Sequence, residues 1–248
     1  MENKDEAFLI YGTHACLEAM RNNADKVERV YVKETLANDA IREIKALATK
    51  NKIPVLFVQT GKLEGMVGDV VHQGLVLMMR SFVYEDLDNF LKKKDENKNL
   101  LLVLMDEIED PHNVGAIIRS AVAAGADAII VPKHRNAPIN GTVYKTSAGL
   151  VDKVPIIRVS NLNAAIDKLK KHHIWIAGLA GESSVNMWDQ DLKGSIGIVV
   201  GNEGEGIHAK TREHCDYLLR IPMSEKAESL NASVSAALLM YEWKRQNI

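Results

Sequence analysis

An α/β architecture in two parts, a small N-terminal module followed by a larger domain with a mostly parallel sheet, is what the amino-acid sequence predicts. Three observations predict it. Strand-like and helix-like runs alternate from residue 100 onward. The run KKKDENKN (92–99) contains no apolar side chain. Ahead of it, about 80 residues already hold a helical stripe and two apolar strands. At roughly 100–200 residues per domain, the 248 residues suit one large or two small domains. Such a length buries a core without disulfide or metal staples. A composition of 46% hydrophobic and 26% charged residues excludes a disordered, collagen-like or coiled-coil chain.

The totals also bound the partners. No apolar run reaches the ~18–20 residues of a membrane span, and the opening MENKDEAFLIYG has no signal-peptide core. Cys16 and Cys215 lie outside any CxxC spacing. They read as free thiols of a reducing, cytoplasmic compartment. Lysine plus arginine number 31 against 33 acidic residues, a net charge of −2. A strongly basic nucleic-acid binder is therefore excluded by the totals, and a local basic patch is not. The eight histidines show no metal-ligand spacing.

In chain order, AIREIKALATK (40–50) carries Ile41, Ile44, Leu47 and Ala48 on one helical face, and 53–58 and 74–79 read as short buried strands. YEDLDNFL (84–91) reads as a helix end before the charged run, so the expected division is a module at 1–80, a linker at 81–99 and a domain at 100–248. In that domain strands are expected at 100–105, 128–131, 154–159, 174–178, 196–201 and 217–221, and helices near 114–124, 162–172 and 230–245. This alternation points to a parallel sheet with helices on both faces, whose functional loops lie at the carboxyl ends of the strands.

Three stretches there can carry chemistry. DEIEDPHNVGAIIRSAVAAGAD (106–127) leaves a strand through an acidic turn into a helix starting near Asn113, with Val114, Ile117, Ile118, Ala121 and Val122 as its core stripe. Gly115 and Arg119 share another face, four residues apart. The plain reading is an Asn113 N-cap and a solvated arginine. IGIVVGNEGEGI (196–207) runs a buried strand into three glycines, spaced unlike a phosphate loop. Glu203 and Glu205 disfavour a diphosphate, so a neutral or cationic small molecule suits the loop better. The plain reading is a strand-to-helix turn. LLRIPMSEKAESLNASVSAALLMYEWKRQ (218–246) leads through a polar loop into a long helix whose expected buried stripe is Leu230, Val234, Ala237, Leu238 and Tyr241. Ser229 and Asn231 suit its N-terminus. Lys133, His134, Arg135 and Lys145 form a basic cluster close to these motifs, a candidate RNA contact. Lys168, Lys170 and Lys171 read as a solvated helix face.

Taken in order, the strings resemble the three motifs of the SpoU/TrmH branch of the SPOUT RNA methyltransferases. Asn113, Gly115, Arg119 and Ala121 match the first, and Gly201, Glu203, Gly204 and Gly206 the second. Ile221, Pro222, Met223, Ser229, Leu230, Asn231, Ser233 and Val234 match the third. Gly12, His14, Ala15 and Glu18, with His72, Gln73 and Gly74, are similar to the N-terminal substrate-binding domain of that family, an L30e-like RNA binder. One departure stands out: Glu225 occupies a position where the family usually has glycine.

The resemblance implies a C-terminal α/β domain tied in a deep trefoil knot, a topology that general rules of chain connection would reject. It implies a homodimer, S-adenosylmethionine as cofactor, and no metal. It assigns cofactor contacts to Gly201, Ile221 and Leu230, with Ser229 and Met223 beside them. It assigns catalysis to Arg119, with Asn113 arranging the site, Glu203 holding the arginine and Asn231 lining the same site. The implied reaction moves a methyl group from sulfonium to a ribose 2′-oxygen. Because free guanidinium stays protonated, Arg119 suits alkoxide stabilisation better than the role of base. The N-terminal module points toward enzymes that modify guanosine in 23S RNA. A transfer-RNA guanosine methyltransferase and a non-catalytic, ribosome-associated RNA-binding protein remain the alternatives. A Rossmann-type dehydrogenase is disfavoured, because the glycine-rich loop follows a late strand.

Overall fold

Residues 7–83 together with Pro138–Asp152 form one unit, and Tyr84–Ala137 with Lys153–Ile248 form a second, in a computed structural model that describes residues 7–248 except Glu96, Glu203, Glu225 and Glu228. A chain-contiguous division at 81–99 does not anticipate that 138–152 joins the N-terminal unit. In chain order the elements are β1 (Phe8–Tyr11), α1 (Thr13–Asn22), β2 (Val27–Lys33), α2 (Asp39–Lys50), β3 (Val55–Val58), α3 (Thr60–Val67), β4 (Leu75–Met79), α4 (Leu87–Lys93), β5 (Leu101–Asp106), α5 (Pro111–Ala124), β6 (Ala128–Pro132), α6 (Gly141–Thr146), β7 (Ile156–Val159), α7 (Leu162–Lys171), β8 (Trp175–Leu179), β9 (Ile196–Gly201), α8 (Ala209–His214), β10 (Tyr217–Leu219) and α9 (Ala232–Gln246).

The first unit is built on a four-stranded sheet in the order β1-β4-β2-β3, with β4 antiparallel to both neighbours and β2 parallel to β3. β4 is central, and Leu75, Val76, Leu77 and Met79 are fully buried. β3 is an edge strand, and the expectation of a buried strand fails there: Leu56 is 39% and Phe57 50% exposed, because an edge offers neighbours on one side only. The α2 stripe buries Ile41, Ile44 and Ala48, and Asn38 caps the helix by accepting the Ile41 N–H at 2.9 Å. β1, β2, α1 and α3 have no counterpart in the periodicity reading. α6 lies against β1, where Gly141 sits so close to the Leu9 carbonyl that no side chain fits. Tyr144 stacks on Phe8 with ring centroids 5.0 Å apart, and its hydroxyl donates to Asp152 at 2.9 Å. Asp152 also pairs with Lys26.

The second unit carries six parallel strands in the order β10-β8-β9-β5-β6-β7. Every residue of β5 and β9 is buried, the continuous apolar run that a parallel sheet covered on both faces requires. Between 81 and 99, Phe82, Tyr84, Leu87 and Leu91 are buried and 87–93 is helical. Lys168 pairs with Asp88 and Lys170 with Asp216, so those two lysines are tied down and not merely solvated.

Two helix readings need correction. α5 begins at Pro111, not near Asn113. Asp110 is the N-cap and accepts the His112 N–H at 2.9 Å, with proline in the first turn where its missing N–H costs nothing. Asn113 is therefore a buried residue inside the first turn, and Val122 is only half-buried. On α9 the buried stripe is Ala232, Ala236, Leu239, Met240 and Trp243. Of the expected stripe, Val234 is 47% and Tyr241 50% exposed, Ala237 and Leu238 are half-buried, and Leu230 lies ahead of the helix. Both sides of this helix are apolar enough to be core, so periodicity alone could not choose between them.

The strand order departs from the chain order in one place that matters. β9 inserts between β8 and β5, β10 lies outside β8, and α9 returns to pack on α5 and β9. The segment before β9 is bonded across the end of that helix. Gln246 accepts the Leu192 N–H at 2.8 Å, Asn247 accepts the Gly194 N–H at 2.9 Å, and the Trp243 indole donates to the Gly194 carbonyl at 2.9 Å.

Candidate functional site

Three loops at the carboxyl ends of β8, β9 and β10 enclose a cavity of about 170 Å³. Its lining includes Gly201, Ile221, Met223, Ser229 and Leu230, so all five residues named as cofactor contacts come together there. Leu179, Ala180 and Gly181 at the end of β8 complete the wall. The sequence reading missed these three. Their position after a parallel strand was the available signal.

The loop after β9 has its own internal supports. Asn202 Oδ1 accepts the N–H groups of Gly204 at 3.0 Å and Glu205 at 2.8 Å, an Asx-type turn. The Gly206 N–H returns to the Asn202 carbonyl at 3.0 Å. A methyl group at Gly201 would run into the backbone of Gly206 and Ile207, so glycine is required there by loop-on-strand contact. Buried Asp106, paired with Gly201 in the sheet register, accepts the His208 N–H at 2.8 Å and fixes the far end of the loop. Neither Asp106 nor Asn202 was singled out from sequence.

A second junction connects the early helix to the late one. The Asn231 amide donates to Asn113 Oδ1 at 2.9 Å, while Asn231 Oδ1 caps α9 by accepting the Ser233 N–H at 2.9 Å. Asn113 Nδ2 reaches Asp110 at 3.3 Å. Asn231 follows directly on Ser229 and Leu230 of the cavity wall, so this pair joins α5 to the cavity rim.

Arg119 is placed differently. It is exposed, lines none of the cavities described here, and has no hydrogen-bond or ion-pair partner among the described residues. It lies six residues beyond Asn113, about 9 Å along the helix and turned roughly 240° around it. Its own face of α5 continues to Ala123, whose carbonyl accepts from Lys244 of α9 at 3.3 Å. Lys244 in turn lies 5.8 Å from the centroid of the Tyr241 ring. The exposed faces of α5 and α9 are thus continuous. Glu203 lies outside the described residues, as does Glu225.

Of the basic candidates, Lys133, His134 and Arg135 share the loop after β6, and Arg135 pairs with Glu107 at 3.3 Å. Lys145 belongs to α6 in the first unit. Neither cysteine offers a nucleophile. Burial pushes the Cys215 thiol up to about 12, with Asp216 adding to the shift, and burial raises Cys16 further.

The cavity suits a partly apolar ligand held largely by backbone groups. Among the described residues no charged side chain lines it; its walls are Leu179, Val200, Leu219, Ile221, Leu230 and backbone. Among the described residues, no group of three or more His, Cys, Asp or Glu side chains is placed to hold a metal ion, and no helix is long and apolar enough to cross a membrane.

Comparison with known proteins gives concordant results. Residues 100–241 match the sequence model of the SpoU rRNA methylase family, and residues 9–84 match the model described as RNA 2′-O ribose methyltransferase substrate binding. A 23S rRNA (guanosine-2′-O-)-methyltransferase, RlmB, of Xanthomonas campestris is 39% identical over 242 residues, covering 96% of each chain. The crystal structure of an RNA 2′-O ribose methyltransferase superposes with a TM-score of 0.74 at 28% identity, covering 97% of this chain and 89% of the other. The fold is also that of AviRb from Streptomyces viridochromogenes, a SpoU methyltransferase solved with AdoMet, at a TM-score of 0.81, 24% identity and coverage of 97% and 90%.

Proposed function

The chain belongs to the SpoU rRNA methylase family and is an RNA 2′-O-ribose methyltransferase; from that premise we propose that it methylates the ribose of a guanosine in 23S rRNA, using S-adenosylmethionine held in the cavity behind Gly201, Ile221 and Leu230. The observation that carries the substrate class is the identity of 39%, spread over both units, to an enzyme named for that reaction.

When bound, S-adenosylmethionine supplies a methyl group activated by its sulfonium charge. The chain supplies position and charge. Backbone groups of the loops at Gly201, Ile221 and Leu230 hold the ligand, with Met223 and Ser229 beside them. The Asn113–Asn231 pair fixes the α9 N-terminus against α5, and with it the Ser229–Leu230 wall. The Arg119 guanidinium stabilises the alkoxide that develops as the ribose hydroxyl gives up its proton, to water or a substrate phosphate, and takes the methyl group. Lys133 and Arg135 contribute phosphate contacts, and Lys145 does so from the first unit.

The same reading makes the protein a homodimer. Its support is the outward apolar stripe of α9, including Val234 and Tyr241, continuous with the α5 face that bears Arg119. A second copy covering this stripe encloses the guanidinium as well. The trefoil knot belongs to the proposal too, supported by the insertion of β9 between β8 and β5 and by the 192–194 segment bonded across α9.

The test is methyl transfer from labelled S-adenosylmethionine to unmodified 23S rRNA, with the methylated nucleotide mapped. Wild-type protein is expected to modify one guanosine. Arg119→Ala is expected to lose about 10²–10³-fold in kcat, the scale of a removed charge-stabilising donor, with cofactor binding and fold kept. Full activity in that variant removes Arg119 from the mechanism. Transfer to transfer RNA alone replaces the substrate.

A further inference from the structure

The first unit holds a cavity of about 450 Å³ that no step of the methyl transfer uses. This volume lies within the roughly 300–1,000 Å³ usual for small-molecule sites. Its throat is apolar: Ile10, Ala15, Ala19 and Val71 line it beside the half-buried ring of Tyr11 and the buried ring of Tyr144. Its floor is polar. Asn23 is only 4% exposed, yet its amide Nδ2 finds no acceptor among the described residues. A buried donor left unpaired destabilises the fold that carries it. Gly149 keeps the floor open, since an added methyl there would meet only that amide, at 3.9 Å. At the mouth stand His14 and Lys145, both exposed and without an ion-pair partner among the described residues, and Glu18, whose carboxylate is already held by Arg21 and Asn22, next to the N-terminus of α1. Gln73 is already committed there, accepting the Thr13 N–H at 2.8 Å.

These features select a ligand in three layers. The floor needs a hydrogen-bond acceptor, the throat a flat apolar body, and the mouth an anion, which a helix N-terminus and the Lys145 ammonium attract and the His14 ring can hydrogen-bond. We infer that this cavity takes up one unstacked nucleotide of the RNA substrate, its base acceptor on the Asn23 amide and its phosphate at His14 and Lys145. The inference rests on the RNA reading of the protein and adds to it a base-reading pocket apart from the methyl-transfer site. Its construction is unusual in one respect. Tyr144, Lys145, Ala148 and Gly149 come from the 138–152 segment, which lies within the stretch matched by the methylase model, while the other lining residues come from the stretch matched by the substrate-binding model.

The experiment uses the full chain, saturated with S-adenosylmethionine to block the other cavity. Adenosine, guanosine, cytidine and uridine 5′-monophosphates are titrated separately to millimolar concentration while the side-chain amide resonance of Asn23 is followed. At least one is expected to shift it, and the 23S rRNA substrate is expected to shift it too. Asn23→Leu, which removes the donor at similar volume, is expected to keep or raise Tm, abolish nucleotide binding measured by calorimetry, and raise the KM for RNA about tenfold with kcat unchanged, the worth of one specific polar contact. A lowered Tm with unchanged KM makes Asn23 a structural residue and overturns the inference. So does an amide that no nucleotide and no RNA moves. Mononucleotide shifts without an RNA shift overturn the RNA assignment in favour of a free nucleotide. If wild-type protein methylates no RNA, the methyltransferase reading fails, and the titration still decides the pocket.

Discussion

The two sheets of this molecule solve the same burial problem in opposite ways. In the six-stranded sheet β5 and β9 are buried from end to end, and the cavity forms where the loops after β8, β9 and β10 leave the strand ends. In the four-stranded sheet β4 is buried while the β3 edge exposes Leu56 and Phe57, and the cavity forms beside the sheet, against α1 and the 138–152 segment. The parallel sheet ties its site to backbone crossings that tolerate no added atoms. The mixed sheet builds its site from side chains.

This contrast can be broken by substitution. The largest effect is expected from Gly201→Ala, because the added methyl meets backbone on the facing loop and not a movable side chain. Loss of calorimetric S-adenosylmethionine binding and a destabilisation of about 3 kcal/mol are expected, the upper end of the cost of overpacking. A variant that binds normally would show that the loop has slack. Asn231→Ala comes next: it removes a helix cap and the partner of Asn113, and urea unfolding is expected to report about 1–2 kcal/mol, with cofactor binding weakened in step. The smallest effect is expected on the other sheet. Phe57→Thr keeps strand propensity and gives up the contact with Lys45, whose Nζ lies 4.5 Å from the ring centroid, and the packing of a half-exposed ring. A change within about 0.5 kcal/mol is expected, and a loss of several kcal/mol would mean that this edge is covered by something else.

The same contrast explains what could be read from the chain beforehand. Continuous apolar runs such as LLVLM and IGIVVG announce buried parallel strands, and the strands at 101–106 and 196–201 lie where those runs are. The Gly201 loop stood out by its glycines, whereas Ile221 and Leu230 were named only through the family resemblance. β1 and β2 were not found from periodicity, because FLIY is only four residues long and the charged Glu28 and Arg29 interrupt VERVYVK. The start of α5 was misplaced because Asp110-Pro111, a strong cap followed by an N1 proline, was passed over in favour of Asn113. The outward stripe of α9 was mistaken for core because Val234 and Tyr241 are as apolar as the residues that do face inward. The pocket over Asn23 gave no signal at all. Its walls come from residues more than a hundred positions apart, and a lone asparagine after a helix is ordinary capping chemistry.

The bond between Asn113 and Asn231 spans 118 positions of sequence. Contacts between residues so distant along a chain form slowly, since the intervening loop must close before they return any free energy. Synthesis runs in the same order: α5 emerges early, and α9, which carries the other half of the junction, emerges after every strand of its sheet. The donor cavity is therefore absent from any folding intermediate that lacks the last helix, and a half-made chain has no means of holding the reagent it will later use.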